Sequence, residues 1–194
     1  MELRTVATDI ADALVAIDRS QVPFKQFQPG VGPYGEPQLV RKIAEHIGAL
    51  PNYAGLVATK RTPDLFIRGH WALEFKIARP FGDNAMLAEN WSVNLLHPYP
   101  GNVSALGDCL KLRELSGPER CASVVIGYEH DPPQISLDPL VRSFELIAAE
   151  VLHVSLGERI ELVRTGLVHP VHQRVRVFAW EVLRSRTASI AASS

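Results

Sequence analysis

The chain has 194 residues, 46% of them hydrophobic and 21% charged, a balance that suits one well-buried globular core. Its formal charge of −1 offers no global attraction for nucleic acid, so any such contact has to come from local basic patches. Cys109 and Cys121 are too few for a disulfide framework and lack zinc-finger spacing, and no run of about 18 apolar residues is present to cross a membrane.

In chain order, Leu3, Val6, Ile10, Leu14 and Ile17 recur at helical spacing and predict an amphipathic first helix over residues 2–19, peripheral to a single domain. Asp9, Asp12 and Asp18 interrupt this segment, unlike a signal peptide, so a cytoplasmic location with reduced thiols is expected. A Pro- and Gly-rich loop follows over residues 22–35. Within it, Gly30-Val31-Gly32-Pro33-Tyr34-Gly35 satisfies the G-x-G-x-x-G spacing of dinucleotide sites. No predicted strand precedes it, and Pro33 lacks an amide that a pyrophosphate would need, so the glycines are expected only to bend the loop. Pro37 and Gly48 bracket a second helix with Leu39, Ile43 and Ile47 inward.

Strands are predicted over residues 55–59, 64–67 and 71–77, then an irregular stretch over 79–101 with one helical turn near 86–91. A helix over 102–115 would turn Val103, Leu106, Leu110 and Leu115 inward. Its Ser104, Asp108 and Lys111 share one side, which reads as a solvated face with a local ion pair or, alternatively, as a helix end approaching a substrate backbone. Residues 122–128 form a nearly unbroken apolar run, as in a strand covered on both faces inside a sheet. Asp138-Pro139 opens a helix to about 154, strands follow at 159–167 and 173–183, and residues 186–194 read as a frayed tail. His169-Pro170-Val171-His172-Gln173-Arg174 joins the last two strands. It reads as a turn, with contact to a phosphate or groove as the second possibility, since it lacks Cys or acid partners for zinc.

Most of the chemistry lies in residues 62–76. If Arg68-Gly69-His70 is a three-residue hairpin loop, Ile67 pairs with Trp71 and Asp64 falls opposite Glu74. Alternation places Glu74 and Lys76 on one face and Leu73 and Phe75 on the other. Two carboxylates that close repel unless a cation lies between them, and hard oxygen ligands suit Mg²⁺ or Mn²⁺. A half-buried hairpin with a surface salt bridge is the plainer alternative.

Pro63-Asp64, nine residues, then Glu74-Phe75-Lys76 resembles the PD-(D/E)XK signature of the restriction-endonuclease-like nuclease superfamily. The resemblance implies an α/β fold with a mixed central sheet of four core strands in the order αβββαβ, flanked by helices and carrying extra C-terminal strands. It implies Mg²⁺-dependent phosphodiester hydrolysis, with Asp64, Glu74 and the Phe75 carbonyl as metal ligands, Lys76 orienting or deprotonating the attacking water, and a further glutamate from the first core helix. Glu36 is the candidate for that glutamate, its alternative role being to stabilise the helix dipole. Lys60, Arg61, Arg68, Arg79 and Lys111 are candidate phosphate contacts. The expected substrate is DNA, with RNA open, in defence, repair or mobile-element biology, and a twofold dimer would suit cutting of both strands. A non-cleaving nucleic-acid-binding or assembly module with the same fold is the alternative reading. An oxidoreductase using the glycine loop is a third, and it requires a strand before Gly30.

Overall fold

The computed structural model describes residues 1–98 and 103–184. Five α-helices and six strands occur among these residues: α1 Leu3–Arg19, α2 Glu36–Gly48, β1 Val57–Thr59, β2 Leu65–Ile67, β3 Trp71–Ala78, α3 Val93–Leu96, α4 Ala105–Glu114, β4 Arg120–Glu129, α5 Asp138–Leu146, β5 Ile160–Thr165 and β6 Arg174–Val182. The strands form one open mixed sheet in the order β1-β2-β3-β4-β6-β5, parallel only between β3 and β4. The two C-terminal strands continue this sheet beyond β4, so β4 lies inside it. Every described residue of β4 after Arg120 is buried, as its apolar run requires.

Two apolar layers enclose the sheet. Leu73, Phe75 and Ile77 of β3 join α1 and α2 in one core, while Ala72 and Ala78 join Leu106, Cys109 and Leu112 of α4 and Phe144 of α5 in the other. Strand alternation therefore sends Glu74 and Lys76 toward α4. Helix α1, expected at the periphery, buries Val6, Ile10 and Leu14 completely within the first core, because its apolar stripe packs on β5 and β6.

Other local expectations change with tertiary context. No helical turn forms at 86–91. Ala85 and Asn90 take positive φ, and a bridge between Phe81 and Leu87 folds this stretch into a tight hairpin, so the helical turn comes later, as α3. Val103, expected inward, is exposed because it precedes Ser104, the N-cap of α4, whose hydroxyl accepts from the Gly107 amide at 3.1 Å. Helix α5 is shorter than predicted and runs into a π-helical turn at Ile147–Val151. The predicted start of the fourth helix at Asn102 and the frayed tail at 186–194 lie outside the described residues. No helix among the described residues is long and apolar enough to cross a membrane.

Candidate active site

Ile67 pairs with Trp71 and Leu65 with Leu73, so the register brings Asp64, one residue before β2, alongside Glu74. Gly69 supplies the positive φ of the loop, 71°. Asp64 is locked in place by accepting the Phe75 amide proton on Oδ2 at 2.9 Å. Strand β2 begins only at Leu65, so its pairing with β3 stops at Leu73 and leaves the β3 edge without a strand partner from Glu74 onward.

The open edge lets Glu36 reach in from the other layer. It is the first residue of α2, in the acidic first turn, and accepts from Lys76 Nζ on Oε1 at 3.0 Å. Lys76 Nζ also donates to the Phe75 carbonyl at 2.8 Å and pairs with Asp108 Oδ2 at 2.8 Å. Asp108 in turn holds Lys111 through Oδ1 at 2.7 Å. The ion pair expected on α4 is thus present, but its face is not solvated: Ser104 and Asp108 are buried where α4 crosses β3, with Asp108 only 2% exposed. Asp108 is the site residue that sequence reasoning did not assign. Its spacing to Ser104 and Lys111 marked the face, yet burial depends on a helix–strand crossing that no local pattern encodes.

The electrostatics follow from this crowding. Burial, then the Asp64 carboxylate beside it, pushes the Glu74 carboxyl well above the usual carboxylate range, and Glu74 Oε1 is buried without a hydrogen-bond partner. Burial also raises Glu36, opposed by Lys76. For Lys76, burial alone would favour the neutral amine; Glu36 and Asp108 outweigh it, and the net shift is upward. The ammonium is held charged. Cys109, beneath the site, is driven up to about 12 by burial, which leaves an inert thiol.

The basic candidates divide. Lys111 reaches the site through Asp108, and Lys60 lies over the Phe66 ring at 4.7 Å, on the strand next to Asp64. Arg61 is exposed in the same connection. Arg68 is exposed at the hairpin tip, four residues and about 13 Å along the strand from Asp64. Arg79 does not reach outward as a phosphate contact: it is desolvated, and Nη1 donates to the Gly32 carbonyl at 2.7 Å.

That bond belongs to a polar clamp behind the site. The His169–His172 segment, open to a role at a phosphate, is instead interior: both rings are buried and stack 4.5 Å apart. His169 Nδ1 accepts the Val171 and His172 amides, so Nε2 donates to Asp83 at 2.6 Å. His172 Nε2 donates to the Phe81 carbonyl at 2.9 Å. A Cβ on Gly32 would lie 2.3 Å from His172 Nδ1, so this glycine is required by contact with the imidazole. Helix α1, not a strand, precedes the glycine loop, which removes the basis for a dinucleotide site.

The clamp carries a prediction. Burial lowers His172 to about 4 from an ordinary 6.5, so below pH 6.5 the unfolded chain takes up a proton that the folded chain refuses. Stability is full above that range and falls with acidification down to about pH 4, by at most about 1.4 kcal/mol per pH unit from this group. Urea unfolding between pH 7 and 4 measures it, and His172→Phe should flatten the slope.

Among the described residues, no three His, Cys, Asp or Glu side chains are grouped so as to hold an ion alone. Mg²⁺ commonly uses one or two carboxylates and keeps several waters. Asp64, the partnerless oxygen of Glu74 and the Phe75 carbonyl form a hard-oxygen set of that kind. Comparison with family models, curated proteins and solved structures finds no significant match.

Proposed function

We propose that the chain is a Mg²⁺-dependent phosphodiesterase of the restriction-endonuclease-like kind that cuts DNA. The observation that supports this reading is that Asp64 lies beside Glu74 on one strand edge while Glu36 and Asp108 flank the ammonium of Lys76 on the same strand. Apart from the one-turn helix α3, the order α2-β1-β2-β3-α4-β4, with β3 and β4 parallel, is of the kind the signature implies. In the metal-free protein Glu74 keeps its proton beside Asp64, and a cation placed between the two would let both ionise.

In hydrolysis, a water oxygen forms the new bond to phosphorus as the bond to the departing oxygen breaks; the proton the water loses passes to solvent, and the departing oxygen takes one up from solvent. A magnesium ion, held by Asp64, Glu74 and the Phe75 carbonyl, would supply charge neutralisation and an acidified water. Lys76 lies two residues beyond Glu74 on the same face, where its ammonium can orient the water and offset phosphate charge. Lys111, Lys60 and Arg61 provide a basic margin that positions the backbone without reading bases. A twofold dimer would give one such site to each strand.

The test is incubation of purified protein with supercoiled and single-stranded DNA, and with RNA, in Mg²⁺, Mn²⁺ or EDTA. Cleavage with either metal and none in EDTA is expected. Absence of cleavage on every substrate, together with absence of Mn²⁺ binding by calorimetry, would overturn the proposal. Salt-sensitive DNA binding without cleavage would instead favour a binding module.

A further inference from the structure

The Lys76 ammonium donates to the Phe75 carbonyl at 2.8 Å and to Glu36 Oε1 at 3.0 Å, and lies in ion-pair contact at 2.8 Å with Asp108 Oδ2, an oxygen outside hydrogen-bond geometry, so three oxygens surround its three protons. For Lys76 to touch a water or a phosphate oxygen, one partner has to leave; the Phe75 carbonyl is fixed backbone with a second lone pair for a cation, so the exchange falls to a carboxylate. The two carboxylates differ in freedom to do so. The Glu36 side chain is 29% exposed and stands at the end of α2. Asp108 is 3% exposed in its side chain, and its other oxygen is gripped by Lys111. Withdrawing Asp108 would bring two ammonium groups together with nothing between them, a change that costs far more in a buried setting than the release of Glu36 into partial solvent.

We infer that Asp108 is the fixed anchor of Lys76, a positioning residue outside the metal's ligand set, and that Glu36 is its exchangeable partner, transferring from the ammonium to a divalent cation as that cation binds. The inference rests on the phosphodiesterase reading. In the metal-free protein Lys76 neutralises Glu36 and so stands where added positive charge will later lie. Loading the cation and freeing the lysine are then one event, which keeps Lys76 fully occupied until the site is complete. Asp108 stays out of the exchange because each of its oxygens already has a lysine.

Two readouts test this apart from activity. In metal-free protein labelled with ¹⁵N-lysine, a buried ammonium surrounded by three oxygens exchanges slowly enough to give a resolved signal, assigned by its loss in Lys76→Met. That signal should persist in Glu36→Gln and vanish in Asp108→Asn. In calorimetric titration with Mn²⁺, Glu36→Gln should weaken binding at least about tenfold while Asp108→Asn leaves it within about threefold. Asp108→Asn should also lower kcat by about 30- to 100-fold with KM nearly unchanged, as expected for lost orientation of Lys76 rather than lost binding. If Asp108→Asn alone does not fold, Asp108→Asn combined with Lys111→Met removes the opposed charges together and carries the same test.

A lysine signal that survives Asp108→Asn, or Mn²⁺ affinity that falls equally in both variants, overturns the assignment. Wild-type protein that neither binds Mn²⁺ nor cuts nucleic acid overturns the phosphodiesterase reading and the exchange with it. The lysine signal still decides, in that case, whether Asp108 anchors Lys76.

Discussion

Glu74→Gln is expected to reduce DNA cleavage by at least about a hundredfold and, at the same time, to stabilise the metal-free protein at alkaline pH. The two effects share one cause. The Glu74 carboxyl sits in a buried position next to Asp64, so in the folded chain it holds its proton far above the ordinary 4.5. Between that ordinary value and the folded one, the unfolded chain has released a proton that the folded chain keeps. Stability therefore declines as pH rises through the window, by up to about 1.4 kcal/mol per pH unit, and ionisation has to be compensated by a bound cation. Glutamine has the same shape and nothing to ionise. Urea unfolding of wild type and variant from pH 5 to 9 in EDTA measures the difference. A wild-type profile no steeper than the variant's would mean that Glu74 is already ionised in the folded protein, and undiminished cleavage by Glu74→Gln would place the activity elsewhere.

Gly32→Ala is expected to cost about 1–3 kcal/mol, although alanine is ordinarily the easier residue to order. The added methyl would meet Cβ and Cγ of His172 at 2.5 Å, the rigid base of that side chain. Relief requires the loop over residues 30–35 to move, and this loop leads directly into Glu36 at the start of α2. The Arg79 bond to the Gly32 carbonyl moves with it. Mn²⁺ affinity should thus fall along with stability, even though Gly32 touches no proposed ligand. Gly48→Ala is the control, since a Cβ there meets nothing closer than 3.7 Å and the residue closes α2. Equal melting temperatures for Gly32→Ala and wild type would show that His172 gives way freely.

Alternation on β3 and one glycine at the hairpin turn are local instructions, and they sufficed to set Asp64 opposite Glu74 before any tertiary contact was known. The strands were legible as short runs bounded by turn residues, β4 by its unbroken apolar run rather than by alternation. Asp108 was not legible, because its burial is decided by the angle at which α4 crosses β3 after an irregular connection. Arg79 and the two histidines misled in the same way: a cation or an imidazole in a connecting segment looks available until the segment folds over it. The glycine loop was expected only to bend the chain, and nothing in its spacing points to the contact with His172 that requires Gly32.

The placement of α1 carries a consequence for biosynthesis. Its buried stripe is completed by β5 and β6, and the ion pair of Asp12 with Arg164 joins residues 152 positions apart. At about 5–20 residues per second, roughly 8 to 30 seconds separate emergence of the two partners from a ribosome. Throughout that interval Val6, Ile10 and Leu14 have no sheet to cover them, whereas the β2–β3 hairpin can close at once. Folding should accordingly be late and slow, limited by this long-range docking step, and the nascent chain should be a client of chaperones that shield apolar helices.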